Sequence, residues 1–421
     1  MNLSRREILA AGAALPVAGH AALAAAAPPS DESNWAGIAA QYDIDRGIIP
    51  LENGNWGIMS RPVLKAYEKQ VERVNRENSF LIRRAMIPEA QAIHASAAAY
   101  MGVDADEMAF TRNATEALKA LITGYNRLKP GDAVLYSDLD YDSMSSAMES
   151  LKSKRGVDVI KISIPEPVTY QRLIDTYSQA LETHANVRMM LITHLSHRTG
   201  LMPPVRDIIA MARTKNVDVI VDAAHSWGQD DFRVSDLGAD FVGLNLHKWI
   251  GAPLGVGAMV IAKGRIEAID RDPGDWDTNT PGVHSRVHTG TSDFAAMLTL
   301  PAALDFHASI PPAARAARLR ALRARWAEQL RGMKGLEILT PDDDRLHCGI
   351  TSFRISGLTS VEENKAVAAA LLEKYNIFTV HRTDVAKGAC VRVTPALFNT
   401  MGDVDALVAA LKELVPAMAR V

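Results

Sequence analysis

Two apolar runs in the middle of the chain end in residues that a hydrophobic core would reject. "VDVIVDAAHSWGQ" (Val217 to Gln229) leaves Asp222 and His225 behind one strand-like segment. "FVGLNLHKWIGAPLGVGAMVI" (Phe241 to Ile261) leaves His247 and Lys248 behind the next. A lysine at the edge of an apolar sheet is poorly hydrated, which disfavours its ammonium form and frees the amine to condense with a carbonyl. Gly251, Gly255 and Gly257 behind it allow the backbone to approach a bulky planar group. A carboxylate on the adjacent strand, Asp222, suits a protonated pyridine nitrogen, the partner that makes pyridoxal 5'-phosphate an electron sink. Taken singly, Lys248 also reads as a loop lysine and Asp222 as a turn cap. Their placement on neighbouring strands favours the chemistry.

Further candidates stand at other strand ends. Asn113, Ala114 and Thr115 open a helix directly after a strand, where free backbone N–H groups and the helix dipole favour an anion. Plain N-capping explains the same residues. Tyr141 follows another strand and offers a ring to lie over a cofactor, or to pack between domains. Ser196 and His197 follow a third. Arg392, in "ACVRVTPALFNT", carries a fork that fits a carboxylate, although a simple ion pair would also use it.

The elements that must hold these groups alternate. From Asp106 onward, strand-like runs (EMAFT, DAVLYS, VDVIKIS, VRMMLITHL, VDVIVDAA, FVGLNL, VGAMVIA) are mostly interleaved with amphipathic helices. Strands apolar along their whole length imply an α/β fold with a mostly parallel sheet covered by helices on both faces. Active groups in such sheets gather at the carboxyl ends of the strands. Helices are predicted from Pro62 to about Asn75 and from Pro88 to Tyr100. After a composition shift near Pro301, the remainder reads as a smaller α+β domain. The expected divisions are 1–27 as an export signal, 28–60 as an N-terminal segment, 61–295 as a large cofactor-binding domain and 296–421 as the small one.

Composition narrows the class. The chain has 421 residues, is 48% hydrophobic and carries a formal charge of -3, which argues against a dedicated nucleic-acid binder. The stretch Ala313 to Lys334, rich in Arg, Ala and Leu, reads as a helix with a solvated basic face. Cys348 and Cys390 are the only cysteines, and the scattered histidines lack metal-ligand spacing. At the N-terminus, Arg5 and Arg6 precede an Ala-rich apolar stretch and small residues before Pro28. This is the pattern of a twin-arginine export signal, too weakly apolar for a stable membrane span. The mature protein is therefore expected in the periplasm or otherwise outside the cytoplasm.

Together, "TRNATEALKALI", "VDAAH", "NLHKWIGAPLGVG", "HTGTSD" and "VRVTPALFNT" resemble the class V aminotransferase family. Its fold is that of the fold-type I pyridoxal-phosphate enzymes, and the likeness is to the isopenicillin-N-epimerase-like branch. The resemblance implies Lys248 as the Schiff-base lysine and Asp222 as the pyridine-nitrogen partner. It implies His225 beside the ring's phenolic oxygen, Tyr141 as the stacking ring, and Ala114, Thr115 and His247 as the phosphate cradle, with Asn113 and Ser196 also near the cofactor. It further implies Arg392 as the α-carboxylate clamp, Asn55 and His197 on the substrate side, and Thr291 reaching the phosphate of a partner subunit in a homodimer. Related cysteine desulfurases need a nucleophilic cysteine on the loop before the arginine; His381 to Ala389 contains none. The implied substrate is an amino acid or peptide reacting at Cα by epimerisation, transamination or elimination. An enzyme modifying a side chain of a secreted peptide such as a siderophore is the alternative, and a catalytically silent binding protein on the same fold is another.

Overall fold

The computed structural model describes residues 32–276 and 282–420, so the expected signal at 1–27 lies outside the described residues. After a short helix, Glu32–Ala39, the N-terminal segment contributes β1 (Ile49–Pro50). The large domain then provides β2 (Met108–Thr111), β3 (Ala133–Ser137), β4 (Asp158–Ile162), β5 (Val187–Thr193), β6 (Asp218–Asp222), β7 (Phe241–Asn245) and β8 (Gly257–Ile261). These seven form one sheet in the order β2-β8-β7-β6-β5-β3-β4. Six run parallel, and β8 alone runs antiparallel to its neighbours β2 and β7.

The central strands are largely apolar because both faces are covered, whereas the edge strand β4 exposes Asp158 and Lys161. Val219 and Val221 of β6 point into one core, with Ile192 and Leu244 from its neighbours. Ile220 of β6 points into the other, with Leu191 and Phe241. The first core is closed by helices that include Tyr170–Thr183 and Val205–Thr214, and the second by Ala114–Gly124 and Asp142–Arg155. This is the doubly covered, mostly parallel sheet expected of fold-type I.

The small domain adds β9 (Leu336–Ile338), β10 (Thr351–Ile355), β11 (Ile377–Phe378), β12 (Val380–Arg382) and β13 (Cys390–Val393). Four of these pair antiparallel in the order β12-β13-β10-β9. Helices Pro312–Leu330, Val361–Tyr375 and Met401–Met418 pack a third core around Trp326, Phe353 and Leu411. β11 pairs in parallel with β1, so the N-terminal segment is built into this layer.

Three details differ from the sequence reading. The helix expected over 62–75 runs from Arg61 to Arg84, bent at Asn78, whose φ is 46°. The expected division at 295/296 falls inside helix Phe294–Ala308, whose Ala296, Leu300 and Leu304 pack in the large-domain core. The arginine-rich helix is only in part a solvated face: Arg325 is exposed, but Arg315, Arg318 and Arg323 are buried. Each has a partner outside the helix: Arg318 pairs with Glu32 at 2.5 Å, Arg323 donates to the Pro341 carbonyl at 3.0 Å, and Arg315 donates to the His307 carbonyl at 2.5 Å. No described helix is long and apolar enough to cross a membrane.

Candidate active site

A cavity of about 440 Å³ opens at the carboxyl ends of the parallel strands, where the small domain meets them. Five of the six parallel strands deliver residues to it: β2 leads to Asn113–Thr115, β3 to Tyr141, β5 to His197, β6 to Asp222 and His225, and β7 to His247 and Lys248. Asn55 and Arg392 complete the predicted lining. Two predicted residues lie elsewhere. Ser196 is buried behind the wall, its hydroxyl accepting from the amides of Arg198 (3.1 Å) and Thr199 (3.4 Å); it shapes the turn that presents His197. Thr291 is exposed and does not line the cavity of its own chain.

Lys248 Nζ lies 3.0 Å from His225 Nε2. Burial draws the Lys248 pKa down to about 8; Asp222 opposes that shift and Arg392 adds to it. His225 is held well below the usual histidine range by burial and by the charge of Lys248, so its neutral ring accepts from the ammonium rather than repelling it. Its Nδ1 is buried without a partner among the described residues. Burial raises the Asp222 carboxyl, against the hydrogen bond from the Ala224 amide (2.9 Å) and the charge of Lys248. Behind it, Asp140 accepts from the Ser137 amide (2.7 Å) and the Thr193 hydroxyl (2.7 Å).

The anion end is equally built. Asn113 caps helix Ala114–Gly124 by accepting from the Glu116 amide at 2.9 Å. Asn245, at the end of β7, accepts from the Ala114 amide at 2.8 Å. Thr115 lines the cavity and its hydroxyl has no partner among the described residues. Burial lowers the His247 pKa, and its Nδ1 sits 2.9 Å from the Val256 carbonyl, which fixes Nδ1 as the donor. Gly257 is required here, since a Cβ would meet Asn113 backbone atoms at 2.7 Å. A half-buried amine of lowered pKa, a buried carboxylate, a histidine nitrogen without a partner and a helix N-terminus share one cavity. That donor set fits pyridoxal 5'-phosphate.

Tyr141, 39% exposed at the mouth, meets the His197 ring edge-on with centroids 5.2 Å apart. Arg392 is already engaged. Its Nη1 donates to the His197 carbonyl at 2.7 Å, and its Nη2 lies 2.6 and 2.5 Å from the two Glu52 oxygens. Arg382, Arg198 and Asn245 line the cavity and Glu52 pairs with Arg392 beside it; the sequence reading singled out none of these four. Glu52 sits in a loop-like run with no periodicity, and only its neighbour Asn55 carried a family likeness. Arg382 lay in a segment read only for its missing cysteine.

Comparison with known proteins agrees with this geometry. The chain is 27% identical over 398 residues to isopenicillin N epimerase of Amycolatopsis lactamdurans, covering 90% of this chain and 98% of that protein. It is 26% identical over 297 residues to an L-cysteine desulfhydrase of Arabidopsis thaliana, covering 64% of each. Its fold matches the apo cysteine desulfurase of Thermococcus onnurineus NA1 with a TM-score of 0.78 at 18% identity, over 94% of this chain and 100% of that one. The family described as Aminotransferase class-V matches residues 59–407. The chain belongs to the class-V aminotransferase family.

Proposed function

We propose that the protein is a pyridoxal-phosphate enzyme acting at Cα of an amino acid or amino-acid-containing peptide, of the epimerase or aminotransferase type. The observation that carries this reading is the Lys248 amine, desolvated to a pKa near 8, on the strand end beside that of Asp222 and 3.0 Å from His225. Pyridoxal 5'-phosphate, when bound, supplies a ring that takes up the electron pair left at Cα once a proton departs. Asp222 would hold one end of it, and the N-terminus of helix Ala114–Gly124, with Thr115 and His247, the other. Lys248 Nζ is the amine that would hold the cofactor, and with a pKa near 8 it is suited to act as the general base toward the Cα proton. His225 receives a hydrogen bond from that amine and keeps it oriented.

Two further points shape the reading. Desulfurase chemistry is disfavoured because Cys390 lies buried within β13, its thiol pushed up by burial to about 11. Relatives named L-cysteine desulfhydrase leave β-elimination as the competing outcome of the same proton removal. Export by the twin-arginine route remains part of the proposal, since it delivers a protein already folded around its cofactor.

One experiment tests residue and location together. Cells are fractionated, the protein is reduced with borohydride, and tryptic peptides are mapped. The pyridoxyl tag is expected on Lys248, in the periplasmic fraction for the natural chain and in the cytoplasm for Arg5→Lys/Arg6→Lys. A tag on another lysine sinks the mechanism; unchanged location of the double variant sinks only the export route. Turnover of candidate amino acids in deuterated water then separates the reactions: deuterium at Cα without keto acid identifies epimerisation.

A further inference from the structure

Asp222 does not stand alone at its end of the cavity. Behind it lies Asp140, 1% exposed, a carboxylate to which no part of the chemistry above gives a role. One of its oxygens accepts from the Ser137 amide at 2.7 Å and the Ser137 hydroxyl at 3.0 Å; the other accepts from the Thr193 hydroxyl at 2.7 Å. The first two bonds close the turn that leaves β3, a common task for a short polar side chain. The third crosses to β5. Thr193 ends that strand, pairs in register with Asp222 at the end of β6 and lines the cavity. The residue after Asp140 is Tyr141, at the cavity mouth.

Charge sets Asp140 apart from a plain turn residue. Among the described residues no cation pairs with its carboxylate: Arg198 reaches only its backbone carbonyl, at 3.4 Å, and is paired with Asp142. Burial pushes the Asp140 carboxyl up to about 6, against the bonds from Ser137 and Thr193, and the charge of Asp222 adds to the rise. A buried charge without a counter-ion is costly, and hydrogen-bond donors only make it tolerable. Two such carboxylates side by side favour any positive charge brought up to them. A ring nitrogen seated at Asp222 supplies that charge by keeping its proton.

We propose that Asp140 is a positioning residue for the pyridine end of the site: through the Thr193 hydroxyl it ties the Tyr141 turn to the strand end beside Asp222, and its charge favours a protonated ring nitrogen there. Asp140 lies outside the cavity lining and acts through Thr193 and Asp222. The proposal rests on the cofactor reading above.

The test is competition for Lys248 in the full-length protein between pyridoxal 5'-phosphate and its 1-deaza analogue, in which carbon replaces the ring nitrogen. Both aldehydes are offered together, borohydride fixes what is bound, and the two tags on the Lys248 peptide are resolved by mass. Phosphate and aldehyde are common to both ligands, so the ratio of tags reads the pyridine end alone. The natural chain is expected to prefer pyridoxal 5'-phosphate. Asp140→Asn is expected to lower that preference about tenfold, the equivalent of about one pKa unit at the ring nitrogen. Thr193→Val leaves the β3 turn whole but strips a donor from the buried carboxylate, which then favours its neutral form, so the preference should fall in the same direction. Thr193→Ser keeps the hydroxyl and should stay within about threefold of the natural ratio. An unchanged ratio in Asp140→Asn, even with less total tag, would leave Asp140 a turn residue only and overturn the assignment. A Thr193→Val chain with the natural ratio would overturn it too. Absence of any Lys248 tag from the natural chain is a different failure: it defeats the cofactor reading, and the proposal with it.

Discussion

At Lys248 a pKa of about 8 has a direct kinetic consequence. The attacking form is the neutral amine, so loading of cofactor into the apo-protein should rise about tenfold per pH unit up to pH 8 and level off above it. A normally hydrated lysine would continue rising to about 10.4. Stopped-flow measurement of the growing absorbance band against pH distinguishes the two, and a rate still climbing at pH 10 contradicts the desolvated amine. The neighbouring histidines do not complicate the profile, since His225 and His197 are held neutral through this range by burial.

Elements position these groups through a few close backbone approaches. Gly57 donates its amide to the His247 carbonyl at 2.8 Å, and a Cβ there would lie 1.8 Å from the Lys248 carbonyl oxygen. Gly57→Ala must push the N-terminal loop off the lysine-bearing turn. The expected result is destabilisation of about 1–3 kcal/mol in denaturant titration, with weakened retention of cofactor. Gly255 is the control: its φ is 89° but nothing lies within 4 Å of a Cβ, so Gly255→Ala should cost about 1 kcal/mol from backbone strain alone. Equal effects of the two would show that close packing at Gly57 is unimportant. The central strands were legible because a sheet buried on both faces demands unbroken apolar runs, as in "VDVIV" and "FVGLNL". Lys248 and Asp222 were legible because polar residues at the ends of such runs violate that demand. Glu52 was not, since its meaning depends on Arg392, 340 residues away. The arginine-rich helix misled for the same reason: Glu32, Pro341 and Asp405 are partners of its Arg318, Arg323 and Arg325, and no local spacing announces them.

For the whole molecule, a homodimer is the proposed assembly, motivated by the family likeness at Thr291 and by its exposed position away from its own cavity. Sedimentation should give a dimer, and Thr291→Val should weaken retention of pyridoxal 5'-phosphate by about tenfold, the loss of one hydrogen bond to a charged group. A monomer of full activity excludes this arrangement. The contact between Glu52 and Arg392 carries a consequence for biosynthesis. One wall is made near the start of the chain and its counterpart in β13, close to the end. A polypeptide released before β13 lacks that second wall, so the two sides of the cleft can meet only once most of the chain has been made.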